Sequence, residues 1–262
     1  MEQPKATCDF VPYKFGCYSY SAHADLMTMV AKGLLEESKK DFVKLDQRDY
    51  LTWVKTEDLK LLQRVKTAYG RMNINALMKH TYIHYPFYAI NSEVAAKILD
   101  KHELEKVEAA RPHNNETILF TIGYEGISLE EYLTRLLKND VKILVDVRNN
   151  PLSMKYGFSK TSLKKYCESL GIKYIHIPEV GIQSAQRQEL KTQSDYDALF
   201  TVYRKQTLAQ TTNAQTDMLN LLKAYKRIAL TCFEANICQC HRKHLAEAIK
   251  TLPGFEYTVE HI

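Results

Sequence analysis

From residue 117 onward the chain alternates short apolar runs with amphipathic runs, and no other feature restricts its fold as much. The apolar runs are 118–122, 142–147 (KILVDV), 172–177, 228–233 and 255–259. Between them lie segments of helical period. Ser128 is placed to cap a helix running to about Asn139, with Leu129, Tyr132, Leu133, Leu136 and Leu137 on its buried face. Ser159 is placed to cap another, which Gly171 ends. Residues 195–224 hold one long helix or two, with a polar break at 210–213, and a last helix is predicted over 240–251. Strands that alternate with helices of about 10–15 residues make βαβ units, with parallel strands and right-handed crossovers. The expected class is α/β: a mainly parallel sheet covered by helices on both faces, spanning residues 116–262.

Residues 1–110 follow a different pattern. An aromatic lead-in, FVPYKFGCYSY, precedes a helix that Ser21 is placed to cap and Gly33 to stop. Short strand-like pieces at 34–35 and 42–45 flank a charged turn. Helix, glycine and hairpin in this order resemble the last helix and wing of a winged helix. Further helices are predicted over 56–66, 73–79 and, capped by Ser92, 93–107. The expectation is a smaller, mostly helical, winged-helix-like domain that is either incomplete or continues upstream. The polar stretch RPHNN at 111–115 marks the boundary.

Composition narrows the partners. The net charge is +5. It divides evenly, with 17 basic and 15 acidic residues in 1–115 and 19 and 16 in 116–262, so no basic tail announces a nucleic-acid binder. An anionic small molecule or a nucleic acid is still an admissible partner. No apolar run is long enough to cross a membrane, and the first residues lack the layout of a signal peptide. The reading is a cytoplasmic protein with no membrane partner, whose cysteines are reduced thiols. Its oligomeric state is left open.

Active groups in parallel sheets gather at the carboxyl ends of strands. Here those ends read Tyr124–Glu125, Asp146–Val147–Arg148, His176–Ile177–Pro178 and Cys232–Phe233–Glu234. Asp146 and Arg148, two apart, share a strand face. Arg148 could then grip a carboxylate or phosphate by its fork, or close the sheet edge as a structural ion pair. The loop at 179–192 is polar, and its Arg187 faces either an anion or solvent.

The stretch 227–247, RIALTCFEANICQCHRKHLAE, concentrates the reactive side chains. Cys232 and Cys240 are candidate nucleophiles, and Glu234 and His241 are candidate acids or bases. Arg242 near a helix start favours an anion. Tyr124, Glu125, Asp146, Arg148 and Arg242 are the candidate substrate-binding residues. The alternative is a small buried thiol at Cys232 and a plain helix start at Cys240. The spacing of Cys232, Cys238, Cys240, His241 and His244 offers zinc donors, but paired CxxC spacing is missing and Arg242 opposes a cation, so no metal is assigned. The cofactor is unknown: the P-loop and dinucleotide fingerprints are absent.

TIGYEGISLEEYLTRL, LVDVRNNPLSMKYGFSKTSLKKYCESLGIKYIHIPEVG, IALTCFEANICQCHRKHLAEAI and the closing VEHI resemble, in order and spacing, the bacterial and archaeal family catalogued as domain of unknown function 488. The resemblance covers about residues 117–262. It implies an α/β fold and no established activity. The DVR strand and the later strand–cysteine–loop–helix unit are also similar at fold level to rhodanese-like sulfur transferases, though the loop lacks a Gly/Ser-rich cradle. Two main readings follow. One is an enzyme acting on an anionic substrate, phosphorylated, nucleotide or nucleic-acid-derived, at Arg148 and the Cys240–His241–Arg242 helix start. The other is a non-catalytic nucleotide- or nucleic-acid-binding or regulatory module. Rhodanese-like sulfur transfer is the lesser alternative.

Overall fold

A computed structural model describes residues 8–38, 41–187 and 190–262. The first seven residues, part of the charged turn (39–40) and two positions of the polar loop (188–189) lie outside the described residues. The chain divides into two compact units, Met1–Arg111 and Pro112–Ile262.

The first unit opens with the hairpin β1 (Val11–Tyr13) and β2 (Gly16–Tyr18), followed by α1 (Tyr20–Ala31). Ser19, not Ser21, caps α1, because its side chain reaches the Ala22 N–H. Gly33 takes a left-handed φ of +67°, and the N–H groups of Gly33 and Leu34 close on Val30 and Met29 carbonyls. The antiparallel pair β3 (Leu35–Glu37) and β4 (Phe42–Lys44) follows. Next come α2 (Thr56–Tyr69), α3 (Ile74–His84), α4 (Ala95–Ile98) and α5 (Lys101–Ala109).

The single helix expected over 93–107 is thus two. Leu99 is extended, and Asp100 forms a capping box with Glu103 that starts a new helix. Ser92 instead bonds the Tyr82 hydroxyl and the Val94 N–H. The small core gathers Tyr82, Ala89, Ile90, Ala95, Leu99 and Val107. The apolar stripe of α2 has helical spacing, yet Leu62 and Val65 are exposed.

The second unit runs β5 (Ile118–Gly123), α6 (Leu129–Lys138), β6 (Ile143–Asp146), α7 (Lys160–Ser169), β7 (Lys173–His176), α8 (Gln193–Tyr203), α9 (Thr212–Tyr225), β8 (Arg227–Cys232), α10 (His241–Lys250) and β9 (Thr258–His261). Its five strands are all parallel, in the order β7-β6-β8-β5-β9. This is the expected α/β class. The last strand starts later than its apolar run predicts: Phe255 and Tyr257 pack on the core, and it is 258–261 that pairs with β5.

Side-chain alternation splits the sheet residues between two cores. Leu119, Ile143, Val145, Ile228 and Leu230 face Met218 and Leu222 of α9 and Leu245 and Ile249 of α10. On the opposite face Tyr132 of α6 donates to Thr231 Oγ1 at 2.7 Å. Moving from β5 to β6 to β7 in one direction, right-handed crossovers place α6 and α7 on one face; the return to β8 and the step to β9 place α8–α10 on the other. β8 therefore leaves toward one face while both its neighbours leave toward the other. A crevice opens at such a reversal, at the carboxyl end of the strands. Cys232 is the last residue of β8.

Candidate functional site

The loop after β8 is pinned to the end of β5. The N–H groups of Tyr124 and Glu125 both donate to the Phe233 carbonyl, at 3.1 and 2.9 Å. The Glu125 carboxylate accepts the Ala235 N–H at 3.0 Å. Gly123 makes this approach possible, since a Cβ there would land on the Glu234 carbonyl oxygen. Arg242 closes the loop from the other side by donating to the carbonyls of Glu234 and Ala235. Glu125 and Arg242, expected to bind substrate, thus hold the loop in place.

Asp146 and Arg148 form a buried bidentate pair, with Nε to Oδ1 at 2.8 Å and Nη2 to Oδ2 at 2.5 Å. Arg148 Nη1 also donates to the Tyr124 hydroxyl and the Phe158 carbonyl, both at 2.8 Å. The Tyr174 hydroxyl completes Asp146 at 2.6 Å. Burial and then the Asp146 charge push that phenol far above its usual range. The Arg148 fork is therefore turned inward onto Asp146 and is not free to clamp a ligand; this is the ion-pair reading. Tyr124 lies stacked on Phe158, with ring centroids 4.2 Å apart, and forms one wall of the site. His176 donates from Nε2 to the Arg148 carbonyl at 2.9 Å and accepts from Lys160 at Nδ1.

Cys232 is the centre of a second cluster. Its sulfur lies 3.1 Å from Glu234 Oε2 and 3.6 Å from His241 Nδ1. The other ring nitrogen of His241 donates to the Val147 carbonyl at 3.0 Å, so the end of β6 orients the imidazole toward the end of β8. Arg187 donates from Nη1 to Glu234 and from Nη2 to His241 Nδ1, the latter at 2.8 Å. Its Nε is buried with no partner among the described residues. Burial alone would raise the Cys232 thiol. The hydrogen bond from the Cys240 thiol, then His241, then Arg187 outweigh it, and Cys232 titrates well below an ordinary cysteine. Cys240 goes the opposite way, raised by burial and by Cys232 itself. The opposite shifts make Cys240 the donor and Cys232 the acceptor of the pair. Glu234 is raised as well, first by burial and then by the Cys232 charge.

The sequence pattern of zinc donors does not assemble. Cys238 is exposed, and His244 Nδ1 lies 3.3 Å from Glu247 and 3.2 Å from Arg204. Cys232, Cys240 and a ring nitrogen of His241 do lie within 4.8 Å of one another. That trio is a donor set zinc accepts, but the nitrogen facing the sulfurs already accepts from Arg187, a cation.

A cleft of about 330 Å³ lies over this cluster. Cys232, His241, Arg187, Tyr124, Arg148 and Asn149 are among the residues lining it. Among the expected residues, Tyr124, Arg148, Cys232 and His241 line the cleft, and Glu234 and Cys240 lie next to Cys232. Arg187 joins them from the loop between β7 and α8, and nothing in the local sequence says that it meets Glu234 and His241.

A five-stranded parallel α/β domain with a cleft at the carboxyl end of its central strand defines the class. Residues 128–249 match the model of the family described as Domain of unknown function DUF488. The match falls within the stretch whose motifs resemble that family. No curated protein and no solved structure matches the chain. No helix among the described residues is long and apolar enough to cross a membrane.

Proposed function

We propose that the second unit is a thiol-dependent enzyme acting on an anionic substrate of the phosphorylated or nucleotide class. One observation carries this reading: the Cys232 sulfur sits at the topological reversal of the sheet, lines the cleft, and has an oriented histidine and a carboxyl beside it. Cys232 is the nucleophile. His241 sits fixed beside the sulfur and favours its ionised form, and Glu234, with its raised carboxyl, supplies the proton that a leaving group needs. Arg187 attracts the substrate anion: it lines the cleft and its side chain is 26 % exposed. Cys240 is fully buried and serves as the thiol that keeps Cys232 ionised.

The test is turnover of a panel of phosphomonoesters, nucleotides and small carboxylates. Cys232→Ser is expected to lower kcat by at least about 10³-fold, as loss of a nucleophile does elsewhere, and Arg187→Met to raise KM. Cys238→Ser is expected to leave both unchanged. Anion binding that persists in Cys232→Ser, without turnover by any form of the protein, would support the non-catalytic binding module instead.

A further inference from the structure

The geometry points to a modification site in the same cluster: Cys232 is oxidised by a hydroperoxide, and Cys240 resolves the product into an intrachain disulfide. This rests on the reading of Cys232 as an ionised, cleft-facing thiol and adds a reaction to it. The two sulfurs lie within 4.8 Å of each other and of the His241 ring nitrogen. A disulfide needs about 2.05 Å, a gap that side-chain rotation and a small loop shift can close. Cys240 is suited to that shift. It stands at the N-cap of α10 in extended backbone (φ −123°, ψ 133°), directly after the short turn 237–239. Cys238, although only two residues away, points to solvent and is outside the cluster.

The chemistry closes with the groups present. The Cys232 thiolate attacks one oxygen of the hydroperoxide. The O–O bond breaks, a sulfenic acid forms on Cys232, and the departing alkoxide takes the proton of Glu234 to leave as an alcohol. The Cys240 sulfur then attacks the Cys232 sulfur as its thiol proton passes to the departing oxygen. The S–OH bond breaks and hydroxide leaves with that proton as water. Two electrons from the sulfur pair have reduced the peroxide. A dithiol restores both thiols by exchange. In the oxidised state Cys232 no longer has a free thiolate, so the site is switched off reversibly.

The experiment uses full-length Cys238→Ser, in which the tryptic peptide 228–242 contains only Cys232 and Cys240. The protein is treated with one equivalent of hydrogen peroxide, quenched with iodoacetamide and analysed by mass spectrometry. The expected peptide lacks two hydrogens and carries no alkyl group, and dithiothreitol before the quench restores two alkylated cysteines. With Cys240→Ser, a 1,3-dione probe is expected to trap the sulfenic acid on Cys232; should that variant fail to fold, the Cys238→Ser peptide decides alone. An unoxidised aliquot, alkylated at pH 6, keeps the two claims apart. Reactive Cys232 with no Cys232–Cys240 link overturns the inference and leaves the enzyme reading standing. Cys232 inert in both aliquots overturns both.

Discussion

Cys232 Sγ and His241 Nδ1 stand 3.6 Å apart, and the opposite nitrogen of that ring is fixed on the Val147 carbonyl at 3.0 Å. A backbone atom at the end of one strand therefore aims the imidazole at the thiol ending the next. His241 also contributes to the low titration of Cys232. With His241→Gln the thiol is expected to regain a more ordinary pKa. Alkylation of Cys232 at pH 7, followed by mass spectrometry, should slow on the order of tenfold, while the unfolding midpoint in urea changes little. An unchanged alkylation rate would remove His241 from the site.

The Asp146–Arg148 pair is predicted to be structural first. Asp146→Asn leaves a buried guanidinium short of its partner and is expected to destabilise the fold by about 3–5 kcal/mol in urea denaturation. Arg148→Lys should not rescue the pair, because an ammonium cannot reproduce the fork on Asp146 together with the bonds to Tyr124 and Phe158. Wild-type stability in either variant would contradict this role.

Glu234 gives a pH signature. Its folded carboxyl is raised, mainly by burial and then by Cys232. The folded chain holds this proton where the unfolded chain, with an ordinary value of about 4.3, has released it. The stabilisation is complete below that ordinary value and is lost as pH rises through the raised one. Glu234→Gln removes this titration. The stability of the wild type relative to the variant is expected to fall with rising pH across that window, measured by denaturation at a series of pH values. A constant difference would contradict the assignment.

Gly123→Ala tests the clamp between β5 and the loop after β8. The added methyl meets the Glu234 carbonyl, so the loop must withdraw. The expected result is a loss of about 1–3 kcal/mol in urea denaturation, and wild-type stability would contradict the clamp.

Much of the second unit was legible because its determinants are local. Apolar period, serine caps at 128 and glycine stops place four of the five strands within a residue or two. Strand-end logic also finds Cys232, Glu234 and His241, since all three lie within ten residues of one strand end. The rest depends on tertiary contacts. Strand order is not written in any one segment, so the insertion of β8 between β5 and β6, which creates the crevice, appears only in the assembled sheet. Arg148 reads equally as an anion clamp or an ion pair until Tyr124, Phe158 and Tyr174 are seen around it. Arg187 lies 47 residues from Glu234 and 54 from His241, beyond any local pattern. The two thiols look equivalent in sequence, and it is the placing of His241 and Glu234 beside Cys232 that tells them apart. In the first unit, Ser19 and Asp100 take capping positions assigned to Ser21 and to a continuous helix, because several adjacent polar residues satisfy the same local rule.

The account stands on the ionisation of Cys232. The direct measurement is its alkylation rate from pH 5 to 10, followed on peptide 228–242 in the Cys238→Ser protein. A rate already at its plateau by pH 7 is the predicted result. A rate that climbs through pH 8–9, as for an unperturbed thiol near pH 8.5, would contradict it.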